Sequence, residues 1–312
     1  MAHNFQASRQ WERINRYWVT EEVAADLTNF KSDRRNHKIS LWDPGANGVR
    51  YLKTLGYTMA AELGPADWAR LRRTENRDVG DPIAVRWNGE SICLDYLQAI
   101  LEVGFIEQAV DLEGARVLEI GAGYGRTCHT LLSNHDVASY CIVDLKTTIQ
   151  LSQKYLRHVL DEARFAKIDF VTVDEVESVL DSRRFDLCVN IDSFAEMAPD
   201  TARGYLSLID RLCGSFYVKN PVGKYWDRSL DGHLEGDEAL EPAMETGLLR
   251  QVLDIHDSEA VRAAVPAFLA AYRPGGDWNR VADGWAAPWS FYWQAVYRNA
   301  ARSERGPAGG VR

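Results

Sequence analysis

Cysteine is scarce in this 312-residue chain, and the five present (Cys93, Cys128, Cys141, Cys188 and Cys213) include no Cys-x-x-Cys pair. An odd, scattered set excludes a disulfide framework and a paired-thiolate zinc site. Cys141 and Cys188 fall inside apolar runs and read as small core residues. Positive charge is also short: 36 Lys and Arg stand against 45 Asp and Glu, a net charge of −9. Nucleic acid, which needs a basic stripe, is therefore not an expected partner. The acidic balance suits a neutral or cationic ligand, although solubility alone accounts for it more simply. No apolar run reaches membrane-spanning length, and the opening Met-Ala-His-Asn-Phe-Gln has neither a basic nor an apolar leader pattern. No membrane contact is expected, and the chain is expected in the cytoplasm. There is no internal repeat and no low-complexity tract.

Apolar residues, by contrast, make up 46 % of the chain, enough for one large α/β core with an appended helical part. Residues 1–110 read as that helical part, a cap over a site or a dimerisation surface; Trp11, Ile14, Trp18, Val23 and Leu27 recur at helical spacing. Asn88-Gly89-Glu90-Ser91 reads as a turn and cap before a helix from Ile92 to Val110, with Ser91 as N-cap. Residues 111–302 alternate strands and helices. Strands are expected at 116–120, 139–143, 168–172, 185–191 and 215–219, with helices at 125–133, 146–160, 174–181 and 200–213, which is a parallel sheet covered by helices. Residues 222–247 read as an acidic insertion or lid, with seven acids against one arginine between Asp227 and Glu245. Arg250–His256 reads as a further strand or short helix, Trp289–Tyr297 as the closing strand, and 303–312 as a disordered tail.

The chemistry concentrates in Arg116-Val-Leu-Glu-Ile-Gly-Ala-Gly-Tyr-Gly125. A buried strand runs into a glycine turn and then a helix, so Gly121, Gly123 and Gly125 let the backbone turn sharply and a ligand approach without Cβ atoms in the way. A dinucleotide site would place a third glycine where Arg126 stands. The Glu-x-Gly-x-Gly-x-Gly spacing favours S-adenosylmethionine (SAM) over NAD. Asp144, after the next apolar strand, is placed to accept both ribose hydroxyls.

These segments resemble SAM-dependent methyltransferases of the Rossmann-like class I fold. Asn29–Trp42, Leu118–Arg126, Ile142–Leu145, Val189-Asn-Ile-Asp-Ser-Phe-Ala-Glu-Met197 and Tyr217–Asn220 together resemble, more narrowly, the sugar O-methyltransferase family. The resemblance implies that Glu119, Gly121, Ala122, Gly123, Tyr124 and Gly125 meet the methionine part of SAM. It implies that Asp144 and Leu145 hold ribose and adenine, and that Asn190 lies at the cofactor. Asp174 is either an adenine contact or an acid meeting a helix N-terminus.

In this fold the acceptor sits past the fourth strand. Asp192 and Glu196, four residues apart, are brought to one side by a helical turn; each is a candidate general base or a holder of substrate hydroxyls, against a plain cap and a solvated helix residue. Ser193, Lys219, Asn220 and Trp226 are candidate substrate contacts. His233 in the acidic segment is a secondary catalytic candidate; His129 and His135 read as structural, and the role of His37 is open. Trp289 and Trp293 read as alternating core residues. No metal is predicted, since two acids do not make a site and Asp144 is committed to ribose. The expected substrate is a sugar hydroxyl. An aminoglycoside-like amine, steered by the acidic segment, is the alternative, and a non-enzymatic SAM-fold binding protein is a third reading. A homodimer is an open expectation.

Overall fold

A computed structural model describes residues 8–21, 42–232 and 237–303 of the chain. The N-terminal part contains helices α1 (Arg9–Tyr17), α2 (Pro44–Glu62) and α3 (Pro65–Arg73), then a hairpin of strands β1 (Ala84–Trp87) and β2 (Glu90–Cys93), then helix α4 (Leu94–Ile106). The hairpin corrects the expected cap. Asn88 and Gly89 both take positive φ, +49° and +85°, as a tight two-residue hairpin turn requires. Ser91 therefore pairs with Arg86 in β2, and the helix begins three residues later with Cys93 at its N-cap.

The alternating part follows in order: β3 (Arg116–Ile120), α5 (Arg126–Asn134), β4 (Ser139–Asp144), α6 (Lys146–Val159), α7 (Glu162–Phe165), β5 (Ile168–Thr172), a short 3₁₀ turn (Val173–Glu175), α8 (Val176–Leu180) and β6 (Phe185–Ile191). Then come α9 (Ser193–Glu196), α10 (Pro199–Leu212), β7 (Cys213–Pro221), α11 (Arg228–Asp231), α12 (Asp237–Glu245), α13 (Ser258–Ala271), β8 (Trp278–Trp285), β9 (Tyr292–Asn299) and α14 (Ala300–Ser303). The seven-stranded sheet has the order β5-β4-β3-β6-β7-β9-β8. β3 to β7 pair in parallel, while β9 runs antiparallel to both β7 and β8. This is the mostly parallel, helix-flanked Rossmann-like sheet expected from the alternation.

Side-chain alternation divides the core between the two faces of the sheet. Leu118, Ile120, Cys188, Phe216 and Val218 pack on one face; Val117, Leu187, Val189, Tyr217 and Val296 pack on the other. Both faces are covered, so the central strands are near-continuous apolar runs. Each fully buried large side chain contributes about 1.5–3 kcal/mol. All five cysteines are free and buried.

Two expectations need correction, and one strand was not foreseen. The segment after Gln251 forms only an isolated parallel bridge between Lys224 and Val252. The last strand does not close the sheet, because β9 inserts between β7 and β8. β8 itself escapes sequence reading: it is an edge strand with a register shift between Arg280 and Ala282, which scrambles the period-two signal. No described helix is long and apolar enough to cross a membrane.

Candidate functional site

The C-terminal ends of the parallel strands form one rim, where ligands bind in open α/β sheets. Its first half is built from backbone. Gly121, Gly123 and Gly125 all adopt positive φ, at +75°, +59° and +95°. They differ in what surrounds them. A Cβ on Gly121 would lie 2.2 Å from Ser193 Oγ, and one on Gly125 would lie 2.8 Å from Leu156 Cδ1, whereas around Gly123 nothing lies within 4 Å. Two of the glycines therefore permit packing, and the middle one leaves an open cradle. The helix that follows, α5, has no side chain capping its N-terminus.

Asp144 stands beside that cradle. Its Oδ2 accepts from the Gly123 amide at 2.9 Å and its Oδ1 from the Leu145 amide at 2.7 Å. An ionised carboxylate has about four lone-pair positions, so both oxygens can still accept ribose hydroxyls. Leu145 and Val173, just past β4 and β5, are exposed, and Asp174 next to Val173 is exposed too. These residues fit an adenosyl group: an open glycine turn, a carboxylate for the ribose and apolar surface for the base.

Glu119 is placed differently from a ligand contact. It is buried and accepts from the Tyr140 hydroxyl at 2.8 Å. Burial pushes its carboxyl up to about 7, against the opposing pull of Tyr140, Arg126 and Thr127. It braces the strand beneath the glycine turn. Tyr124 and Arg126 reach in the other direction, to Asp95 on α4, at 3.2 Å for the phenol and 2.8 Å for the guanidinium on the Asp95 carbonyl.

The second half of the rim is built from side chains. Asp192, directly after β6, has φ +66° and ψ −45°, a strained backbone for a residue with a Cβ. Its amide donates to the Lys219 carbonyl and its carbonyl accepts from the Ala195 amide, both at 2.9 Å. Burial raises the Asp192 carboxyl above its ordinary range; a hydrogen bond from Tyr292 and the charges of Lys219 and Arg126 pull the other way. Glu196 is exposed; partial desolvation at the rim and then repulsion from Asp192 raise its carboxyl as well, while Lys224 lowers it.

Asn190, Ser193 and Asn220 are brought together, but largely for one another. Asn190 donates to Ile120 O at 3.0 Å and Ser193 Oγ at 2.7 Å; Ser193 Oγ donates to Ile120 O at 3.1 Å. Asn220 donates to Asn190 Oδ1 at 2.9 Å and accepts from the Ala195 amide at 3.1 Å. Asn190 and Asn220 are fully buried. Their polar groups are spent on framing the rim, which corrects the expectation that Asn190 meets the cofactor and Asn220 the substrate. Lys219 is likewise buried, its ammonium 2.8 Å from Glu102 Oε1 and 3.0 Å from Gln98 Oε1. It is an internal cation, not an open substrate contact.

Glu102 also receives Arg126 at 3.0 Å. Burial opposes its ionisation, and the two cations overcome that and hold its pKa below the ordinary carboxylate value. Its Oε2 is buried without a partner. Asp95, Gln98 and Glu102 are spaced at i, i+3 and i+7, so one face of α4 meets the glycine turn and β7 together. Sequence reading missed this trio, and a signal existed: Gln98 and Glu102 interrupt an otherwise apolar helix.

Lys224 was missed too. It is buried, with its ammonium 3.2 Å from both the Ala195 carbonyl and Thr246 Oγ1. Burial lowers its pKa and Glu196 raises it. It ties the root of the acidic segment to α9. Trp226 stacks on Tyr225 at 4.8 Å. His233 and His37 lie outside the described residues. His129 is buried with Nδ1 2.6 Å from the Tyr96 hydroxyl, and burial pushes it down to about 4; His135 sits between Glu107 and Glu113. Both are structural. Among the described residues no group of three or more His, Cys, Asp or Glu could hold a metal ion.

Counted from β3, the sheet order is 3-2-1-4-5-7-6 with the seventh strand reversed, and the glycine turn leaves its first strand. The fold is that of class I SAM-dependent methyltransferases. Among solved structures the chain is similar to magnesium protoporphyrin IX methyltransferase from Synechocystis PCC 6803, at 13 % identity over 75 % of this chain and 95 % of that one, with a TM-score of 0.44. It is similar to the [4+2]-cyclase SpnF, at 12 % identity over 69 % and 86 %, TM-score 0.47. It is also similar to the methyltransferase domain of a bacterial Hen1, at 11 % identity over 64 % and 96 %, TM-score 0.46. No family model matches the chain, and no curated protein does. The likeness to sugar O-methyltransferases therefore rests on the motif residues alone.

Proposed function

We propose that this chain is a SAM-dependent methyltransferase that methylates a sugar hydroxyl, in a glycan or a glycosylated natural product. The observation that carries the reading is Asp192: a half-buried carboxylate with a raised pKa and a strained backbone, facing Tyr292 on the same rim as the Gly123 cradle and Asp144. SAM, when bound, supplies a methyl group on a sulfonium that already has a good leaving group. The chain's own work is to align the acceptor and to receive its proton. Gly121, Ala122, Gly123, Tyr124 and Gly125 enclose the methionine end, Asp144 holds the ribose, and Leu145 and Asp174 border the adenine. Asp192 receives the hydroxyl proton. Its raised pKa makes it a stronger base than an ordinary aspartate, and the Tyr292 hydroxyl faces it. Glu196 binds a neighbouring substrate hydroxyl at the outer edge. The sugar specificity draws its support from the Asn190–Met197 run.

A second reading, N-methylation of an amino sugar, is favoured by the seven acids between Asp227 and Glu245, which would steer a cationic acceptor. An amine needs only its neutral form and little help from a base.

The experiment is calorimetric titration with S-adenosylhomocysteine, on the native chain and on Asp144→Ala, followed by methyl transfer to saccharide and amino-saccharide panels. Micromolar binding lost in Asp144→Ala, with transfer to hydroxyl acceptors, supports the proposal. A folded chain that binds no S-adenosylhomocysteine sinks it.

A further inference from the structure

On the β8–β9 side of the rim Trp285 and Trp289 present open indole rings, 53 % and 38 % exposed. The expectation that Trp289 is a core strand residue is corrected here: it lies in the loop between β8 and β9. Because Trp285 pairs with Trp293, and Tyr292 with Pro221 at the end of β7, that loop sits on the same edge of the sheet as Asp192.

Both indole N–H groups are already spent inside the protein. Trp285 Nε1 donates to the Trp289 carbonyl at 2.8 Å, and Trp289 Nε1 donates to Gln98 Oε1 at 3.1 Å. The same Gln98 oxygen accepts from Lys219, whose ammonium stands 5.6 Å over the Tyr292 ring. The Trp289 carbonyl also accepts from the Tyr292 amide at 3.3 Å, and Tyr292 faces Asp192. Ring surface is therefore what these two residues still offer. It is pinned from α4 through Gln98, and the Trp289 carbonyl is hydrogen-bonded to Tyr292, the neighbour of the proposed base.

We infer that Trp285 and Trp289 form the platform on which the acceptor's ring is stacked, and that the occupant is a saccharide ring. This rests on the methyltransferase reading above. An apolar ring face buried on an indole, with polar edges left to nearby carboxylates, matches a pyranose: C–H groups on its faces, hydroxyls around its rim. A nucleic acid would stack equally well, but it brings phosphates to a chain of net charge −9.

The test uses the full chain saturated with S-adenosylhomocysteine and, as probes, methyl glucopyranoside and its 2-amino-2-deoxy analogue. Saturation-transfer NMR is recorded on the native chain, Trp285→Ala, Trp289→Ala and Trp289→Phe. The expected result is transfer concentrated on the C–H protons of one ring face. That signal falls at least fivefold in each alanine variant and is largely kept in Trp289→Phe, with affinity for S-adenosylhomocysteine within twofold throughout. Equal transfer in the native chain and both alanine variants overturns the platform and leaves the methyltransferase reading standing. So does the absence of transfer to either probe in a native chain that binds S-adenosylhomocysteine. Failure of the native chain to bind S-adenosylhomocysteine brings down the underlying reading instead.

Discussion

The two halves of the rim are made of different material. The β3–β4 half is backbone and short-range sequence: three glycines at positive φ and a carboxylate that grips the turn. The β6–β7–β9 half is side chain and long-range contact: Gln98 and Glu102 from α4, Lys219 from β7 and Tyr292 from β9 meet around Asp192. A turn made of glycine tolerates varied ligands because its geometry is set by φ and ψ. A cluster of buried charges tolerates almost no change, because each charge is balanced by a named partner. The first half suits a common cofactor and the second a particular acceptor.

The sharpest way to break this comparison is Asp192→Asn. Methyl transfer to a hydroxyl acceptor is expected to fall about 10²–10⁴-fold, while calorimetry finds S-adenosylhomocysteine affinity little changed. Retained transfer to an amine acceptor would move the chemistry from oxygen to nitrogen. Next in size is Glu102→Gln, which removes the carboxylate that balances Lys219 and Arg126 and is expected to cost about 3–5 kcal/mol in urea unfolding. Lys219→Met added to it should recover part of that loss. A cost under about 1 kcal/mol for the single variant would show that the cluster is not held as described.

Titration separates the halves further. Burial pushes Glu119 from 4.5 up to about 7 and His129 from 6.5 down to about 4. The folded chain holds the Glu119 proton more tightly than the unfolded chain does. That contribution is full below 4.5 and is lost as pH rises through 7. The folded chain holds the His129 proton less tightly. That contribution is full above 6.5 and is lost as pH falls through 4. Each shift is worth about 3 kcal/mol, and the two largely offset in the native chain. Glu119→Gln should therefore uncover an acid-side loss of about 3 kcal/mol between pH 7 and pH 4, read by urea unfolding at stepped pH. A flat profile in that variant would refute the assignment to His129.

The smallest effect concerns the glycines themselves. Gly123→Ala meets open space and carries only the cost of positive φ, about 1 kcal/mol; it should weaken S-adenosylhomocysteine about tenfold by filling the cradle. Gly121→Ala meets Ser193 as well and should lower the unfolding midpoint more than Gly123→Ala does. The reverse order would mean that Gly121 is not packed against Ser193 as described, and unchanged S-adenosylhomocysteine affinity in Gly123→Ala would mean that the cradle is not where the cofactor lies.

The legible and illegible parts of the molecule follow the same division. The β3 strand, its glycine turn and Asp144 were readable because their signals are local: an apolar run, glycine spacing, one acid after the next strand. The parallel alternation was readable for the same reason. β8 was not, because an edge strand with a bulge carries no clean period. The β1–β2 turn was visible in Asn88-Gly89, yet the end of β2 was absorbed into the helix expected from Ile92, and β1 was not foreseen. Asn190, Asn220 and Lys219 were found by position but misjudged in role, since only their contacts reveal that their polar groups are already satisfied. Trp289 was misplaced because an aromatic run reads as strand wherever it stands.

The sequence by itself determined the parallel sheet, the glycine turn and the carboxylate beside it, because these depend on backbone sterics and on residues close in the chain. Tertiary structure decided the rest. It put a face of α4 against β7, it turned Asp192 to positive φ beneath Tyr292, and it opened Trp285 and Trp289 to solvent. Those outcomes come from desolvation, hydrogen bonding and charge balance among side chains 24 to 191 residues apart, and no local pattern encodes such a balance.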